Sequence, residues 1–179
     1  MAISLTTSKS SSLEALKKNR FVMQFTAVPG GGDASELAFA MHTATVPGIT
    51  YNPIENQRLN ERFFTAGKPT WTDLSVTFYD YIAGSKSAGQ IIYDWSQSIY
   101  NPVTGQMYFK SQYSTSATLA QLDPAGGVVR LWNIYWIWPT TVNFGESLTY
   151  DDDTISECSV TFKYDYAIKA NDEDTSPAI

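Results

Sequence analysis

The side chains able to do chemistry in this chain are few and scattered. His42 and Cys158 are its whole complement of imidazole and thiol. A zinc site draws most of its ligands from those two types, so zinc chemistry lacks its donors. His42 with a serine and an aspartate would make a hydrolytic triad, but the Gly-x-Ser-x-Gly elbow that exposes such a serine is missing. In a strand with Ala40 and Ala44 at its even positions, His42 reads as a packed, hydrogen-bonded structural residue. Asp151-Asp152-Asp153 gathers three carboxylates, yet a calcium loop needs roughly six to eight oxygens from spaced ligands, and the run reads as an acidic turn. Gly30-Gly31-Gly32 and Gly126-Gly127 lack the Lys-Ser/Thr ending of a phosphate loop and read as turns. Trp132, Tyr135, Trp136 and Trp138 would stack a sugar only from one exposed face. Val128, Val129, Leu131, Ile134 and Ile137 among them point instead to a strand buried on both sides. No catalytic, metal-binding or cofactor-binding residue is assigned, and an enzyme is not expected.

Composition narrows the class. Of 179 residues, 43% are hydrophobic and 14% aromatic but only 17% charged, so the chain should fold, as one domain. The charged share lies below the roughly 25% of ordinary soluble domains, and aromatics gather where charges are depleted, in interface cores. An oligomer fits that balance better than a free monomer. A net charge of −6 opposes a grip on nucleic acid, which needs a basic stripe. One cysteine excludes an intrachain disulfide framework. The start, Met1-Ala2-Ile3-Ser4-Leu5, shows no signal-peptide pattern, and no apolar stretch reaches the roughly 18 residues of a membrane span. A protein assembled in the cytosol is expected.

The elements that must position these side chains are mainly strands. Residues 1–15 are expected to be a mobile segment and residues 170–179 an acidic tail, bracketing a domain at 16–169. Phe21, Met23 and Phe25 alternate in a first strand at 20–27, and Gly30-Gly31-Gly32-Asp33 turns into a second at 37–46, an opening hairpin. After Pro47-Gly48, residues 48–70 carry no regular pattern and read as a long functional loop. The clearest alternation lies at 71–79, with Leu74, Val76 and Phe78 on one face and Asp73, Ser75 and Thr77 on the other. Ile91, Ile92, Trp95 and Ile99 recur at helical spacing over 88–99, with Ser87 and Gln90 in a capping-box pattern. Strands resume at 113–122 and at 128–138, where Pro139 stops the chain. A last strand spans 155–168, with Cys158, Val160, Phe162, Tyr164 and Tyr166 sharing a face. The fold class is mainly β: an antiparallel sandwich or barrel of about seven strands with one flanking helix.

The order of these pieces carries a resemblance. Leu16-Lys17-Lys18-Asn19-Arg20-Phe21 leads into the first strand and Thr45-Val46-Pro47-Gly48 ends the second. Leu74-Ser75-Val76-Thr77-Phe78 follows, then Tyr93-Asp94-Trp95-Ser96 and Asn101-Pro102. Trp138-Pro139-Thr140-Thr141-Val142 and Val160-Thr161-Phe162-Lys163-Tyr164-Asp165 close the set. Over residues 16–168 the chain resembles the tail tube proteins of T-even-like contractile-tailed bacteriophages. That resemblance implies a barrel-like subunit, six copies in a ring, and rings stacked into a hollow tube inside a contractile sheath. The implied partners are further copies of itself, the tail sheath protein, the baseplate tube initiator, the tail terminator and the tape measure protein, with DNA passing through unbound. No cofactor and no membrane are implied. The implied location is the virion tail tube, assembled in the host cytoplasm. No extension marks an initiator, so a main tube subunit is expected.

Under that resemblance Asp73, Ser75 and Thr77 would line the lumen, where negative charge would repel DNA. Arg58, Arg62, Phe63 and Phe64, in the loop at 48–70, would contact other subunits. A tube of a phage-derived injection or secretion system fits the same residues. A β-sandwich carbohydrate-binding module, with exposed aromatics on one face, is the alternative from a different class, and a hydrolase is a third.

Overall fold

A computed structural model of the chain describes residues 15–81, 86–145, 148–151 and 153–170. The N-terminal segment at 1–14, the acidic tail from 171 onward and Asp152 of the acidic run lie outside the described residues. The first strand, β1 (Phe21–Phe25), turns Met23 and Phe25 into the core, as its alternation predicts. It does not form a hairpin with the next segment of the chain. Residues 37–46, expected as one strand, divide into a short helix α1 (Ala34–Phe39) and a strand β2 (Met41–Ala44). The cause is local. Asp33 caps the helix by accepting from the Ser35 amide at 2.8 Å, and Glu36 sits in the first turn, near the positive end of the helix dipole.

Residues 48–70 are not a loop. They form β3 (Ile49–Arg58) and the start of β4 (Glu61–Trp71), paired antiparallel throughout, with β5 (Leu74–Tyr79) directly after. β2 pairs with β5, and Thr45 N donates to Ser75 O and Thr72 N to Gly48 O, so β2–β3 and β4–β5 make one long two-stranded ribbon. Its lower part belongs to the main sheet, while β3 and β4 project as an arm. Ten residues at roughly 3.3 Å each give the arm a reach of about 30 Å.

Helix α2 (Ala88–Ile99) lies where its periodicity predicts, its Ser87 hydroxyl accepting from the Gln90 amide at 3.3 Å. A small hairpin of β6 (Tyr100–Asn101) and β7 (Gln106–Met107) comes next, then the one-turn helix α3 (Lys110–Tyr113) and strand β8 (Thr115–Leu122). β9 (Val128–Asn143) does not stop at Pro139 but continues four residues past it. Proline is tolerated because this half of β9 is an edge, where a missing N–H breaks no ladder bond. The expected strand at 155–168 is two strands, β10 (Glu157–Lys163) and β11 (Tyr166–Ala170), which begin after Ser156 and are separated by Tyr164-Asp165. Both run along the same side of β9 in one register, from Phe162 opposite Pro139 to Ala170 opposite Leu131.

The main sheet has seven strands, in the order β1-β8-β9-β10-β5-β2 with β11 also on β9, all antiparallel. The expected seven-stranded antiparallel architecture is present. Its helical complement is larger, since two short helices accompany α2. The inner face of the sheet packs on α2. Trp95 lies 5.4 Å from the rings of both Phe25 and Phe162, and its indole N–H donates to Tyr113 O at 2.7 Å. Gly30 and Gly32 let the loop after β1 press on the same helix. A Cβ on Gly32 would lie 2.4 Å from Ile91 Cγ2, and Gly30 holds a φ of +92° that favours glycine.

Trp95 thus joins β1, β10 and the α2 helix, and its loss should leave a cavity none of them can close. Trp95→Ala is expected to cost about 3–5 kcal/mol, read as a lowered urea midpoint with unchanged slope. A cost under about 1 kcal/mol would show that the helix is held by something else.

Candidate assembly interface

β2, β5, β10 and the distal half of β9 form a four-stranded portion of the sheet whose outer face is open to solvent. Ser75 and Thr77, singled out from the sequence, lie on it. The register adds residues that alternation within single strands does not single out. Thr43, Thr77, Ser159 and Asn143 stand in one cross-strand row, and Ser75, Thr161 and Thr141 in the next. Residues opposite one another in adjacent strands share a face, so seven hydroxyl and amide side chains make a continuous polar surface. No charge interrupts its middle. At its borders Asp73 lies 3.4 Å from Lys163 Nζ in an ion pair, and His42 Nδ1 lies 3.1 Å from Glu157 Oε1 in a hydrogen bond while stacking on Tyr79 at 4.2 Å. His42 is thus hydrogen-bonded, but at the surface rather than in the core.

Two edges of this portion are unpaired among the described residues, β2 at one side and residues 138–143 of β9 at the other. The four strands alternate in direction, so these edges run antiparallel to each other. The Thr45 amide donates inward to Ser75, and alternation of the ladder then turns the Ala44 amide outward, to the open edge.

The arm carries Arg58, Arg62, Phe63 and Phe64, a second group predicted from sequence. The structure keeps them apart from Asp73, Ser75 and Thr77, which lie on the body. Phe63 and Phe64 are 51% and 65% exposed. Arg62 Nε lies 3.3 Å from Glu55 Oε1 across the arm. At the tip Leu59 is 97% exposed and holds a φ of +55°. That backbone region costs an ordinary residue roughly 1–2 kcal/mol and favours glycine. An apolar side chain kept in strain, in water, is a mark of function that periodicity cannot show.

The aromatic residues of β9 do not form a sugar platform. Trp132 faces inward beside Leu119, whereas Tyr135 stacks on Tyr166 on the opposite face, ring centroids 4.8 Å apart. Trp138 meets Tyr113 edge-on. Trp136 sits at a bulge with a φ of +58° and is 45% exposed, with Lys110 over its ring. The strand is therefore not buried on both sides along its length, as its composition suggests. Its first three residues are exposed as well. Among the described residues no three His, Cys, Asp or Glu side chains cluster as metal ligands, and no helix is long and apolar enough to cross a membrane.

No protein-family model matches the chain, and no curated protein matches it in sequence. Solved structures do match in fold. A chain from the sheath-tube complex of an extracellular contractile injection system, PVC, aligns with a TM-score of 0.65 at 17% identity, covering 94% of this chain and 99% of that one. A chain from the tube-terminating cap of the anti-feeding prophage aligns at 0.68 and 15% identity, covering 94% and 99%. The SPP1 tail tube aligns at 0.53 and 12%, covering 90% and 82%. The chain has the fold of tube proteins of contractile injection systems and phage tails, which are structural proteins.

Cys158, the one thiol, faces Phe78 in the core rather than this surface. Burial, with the Asp80 carboxylate adding to it, pushes its pKa up to about 11. A raised pKa contributes stability below the ordinary thiol range and loses it as pH climbs toward 11. A thiol reagent at pH 8 should leave native protein unlabelled and modify Cys158 fully in urea. Rapid labelling of the native state would contradict the burial.

Proposed function

We propose that this chain is the structural subunit of a hollow tail tube, non-enzymatic, with six copies closing into a ring and rings stacking inside a contractile sheath. The observation that carries this reading is the polar four-stranded surface with two open edges of opposite direction. Placing β2 of one copy beside the distal half of β9 of the next continues the antiparallel alternation and pairs the edge groups that would otherwise invite aggregation. A head-to-tail contact of this kind closes into a ring when its rotation allows. The outer face bearing Asp73, Ser75 and Thr77, joined by Thr43, Thr141, Asn143, Ser159 and Thr161, then lines the lumen.

A lumen lined by this face would be mostly neutral, where the sequence led us to expect a repulsive acidic surface. At its borders Asp73 is paired with Lys163 and Glu157 is hydrogen-bonded to His42, and the surface between them is neutral. Grip on a nucleic acid comes from free Lys and Arg that neutralise phosphates, and a hydroxyl surface offers none in its middle. DNA would slide because nothing holds it rather than because it is pushed away. Arg58, Arg62, Phe63 and Phe64 on the arm contact neighbouring copies. The sheath protein, a baseplate initiator, a terminator and a tape measure protein are the remaining partners, in a virion tail assembled in the host cytoplasm. A tube of a contractile injection system is the second reading, favoured by the higher TM-scores of the PVC and anti-feeding prophage chains over the SPP1 tail tube.

Negative-stain electron microscopy with mass measurement tests the reading. The expected species are hollow tubes, or rings of six times the 19.9 kDa subunit mass, at high protein concentration. Ala44→Pro removes an outward main-chain donor without touching a bond inside the subunit, and should leave a folded monomer that forms no rings. Rings from Ala44→Pro in parental yield would show that β2 is not the joining edge.

A further inference from the structure

Between helix α1, the residues just after β5 and the start of α2 lies a pocket of about 250 Å³ whose lining includes Glu36, Phe39, Tyr81 and Lys86. One atom in it lacks what a buried polar atom needs. Glu36 Oε2 is buried, and no donor among the described residues reaches it. A buried acceptor left without a donor is costly, more so when it is charged, and the oxygen is therefore poised to accept from something outside the chain. The groups around it are already engaged. Lys86 Nζ lies 2.6 Å from Asp94 Oδ2, the Ser35 hydroxyl donates to Asp33 Oδ1 at 2.7 Å, and the Gly89 amide donates to Asp80 Oδ1 at 3.1 Å.

The walls say what that ligand is. Phe39 and Tyr81 line the pocket with ring centroids 5.9 Å apart, and they are 79% and 37% exposed. Tyr79 braces Tyr81 edge-on from 5.9 Å and itself stacks on His42, so the ring is held in place. Two aromatic rings beside one carboxylate suit an organic cation, because the rings attract its charge and the carboxylate accepts its N–H. A hard metal ion wants roughly six oxygens and finds a single carboxylate here. A guanidinium fork matches both oxygens of a carboxylate, and only Oε2 is buried and unpaired. We propose that this pocket binds a primary ammonium group on an alkyl chain, the ammonium donating to Glu36 Oε2 and the methylenes lying along Phe39 and Tyr81. A free diamine and a lysine side chain of another protein carry that same chemistry. The site uses no strand edge and no residue of the hydroxyl surface, so it stands independently of the tube reading.

The test is ligand-observed saturation-transfer NMR on the full chain, a measurement that works for subunits and assemblies alike. The probes are putrescine, N-acetyl-lysine methylamide and, as the neutral control, butanol. Both amines should bind saturably with a Kd of about 1 mM, and butanol should not bind. Glu36→Gln, which keeps the shape and removes the charge, should weaken amine binding at least about tenfold, and Phe39→Leu about threefold, with thermal unfolding unchanged. Phe39 is mostly exposed, so its variant decides the matter even if Glu36→Gln unfolds early. Tighter binding of putrescine assigns a free diamine as the ligand, and equal or tighter binding of the lysine derivative assigns a side chain of another protein. No saturable binding of either amine, butanol binding as well as they do, or amine binding unchanged in either folded variant would overturn the site and leave the tube reading untouched.

Discussion

An antiparallel sheet that does not close on itself must leave two rows of main-chain donors and acceptors without partners, and that constraint organises this molecule. Here the end strands are β1 and β2; the unpaired row on β2 lies next to a polar face, and the distal half of β9 offers a further row running the opposite way. The bend of β9 makes this possible. Its first half pairs with β8, and residues between Leu131 and Asn143 pair with β11 and β10, so one 16-residue strand serves two halves of the sheet and frees its far edge only after Ile137. The bulge that carries Trp136 at a φ of +58° sits at the changeover. Before Thr115 the chain is in α3, so β8 begins opposite Ile137 and leaves the rest of that edge uncovered.

The helix sets which face is left for water. Trp95, Ile91 and Ile92 draw the inner face of the sheet onto α2, so Leu74, Val76 and Phe78 must point inward and their alternates outward. Burial of the apolar positions thus decides where the hydroxyl row falls, since a one-residue slip would turn every side chain over. Packing in the core and polarity on the surface are one choice made once. The arm escapes that choice because it extends past the helix, where no inner face exists.

That escape explains what the sequence could and could not disclose. Strands 21–25 and 74–79 and the helix at 88–99 were legible because one side of each is buried by the chain itself, giving apolar residues a period. Ser75 and Thr77 followed from the same alternation. Thr141, Asn143, Ser159 and Thr161 alternate just as plainly with Val142, Val160 and Phe162, but their membership of one surface depends on which strands pair, and the pairing of Ser159 with Thr77, far apart in sequence, leaves no local trace. The arm carried no period at all. Its two faces have no buried side within the chain, so Phe63 and Phe64 sit adjacent and polar groups fall on both sides, which reads as irregular. The short helix at 34–39 did leave a signal, Asp33 followed three residues later by Glu36, but alternation at Ala40, His42 and Ala44 suggested a strand. Pro139 misled for a related reason: a proline ends a central strand, and that half of β9 is an edge.

The distribution of charge then bears on how such a subunit avoids sticking to itself at random. Residues 49–71 carry a net +1 (three Lys and Arg, two Glu) and the other described residues a net −2 (eight Lys and Arg, ten Asp and Glu), so two bodies approaching face to face repel weakly, whereas an arm approaching a body is attracted. The effect reaches only about 8 Å at physiological ionic strength, comparable to the thickness of a sheet and far shorter than the arm. Charge can therefore orient an arm tip before the edges of two sheets come within hydrogen-bonding distance. The strand edges, which would pair with any extended chain, are reached last. In the proposed assembly, selectivity would then reside in the arm and strength in the edges, so that the open edges pair only once a correct neighbour is in place.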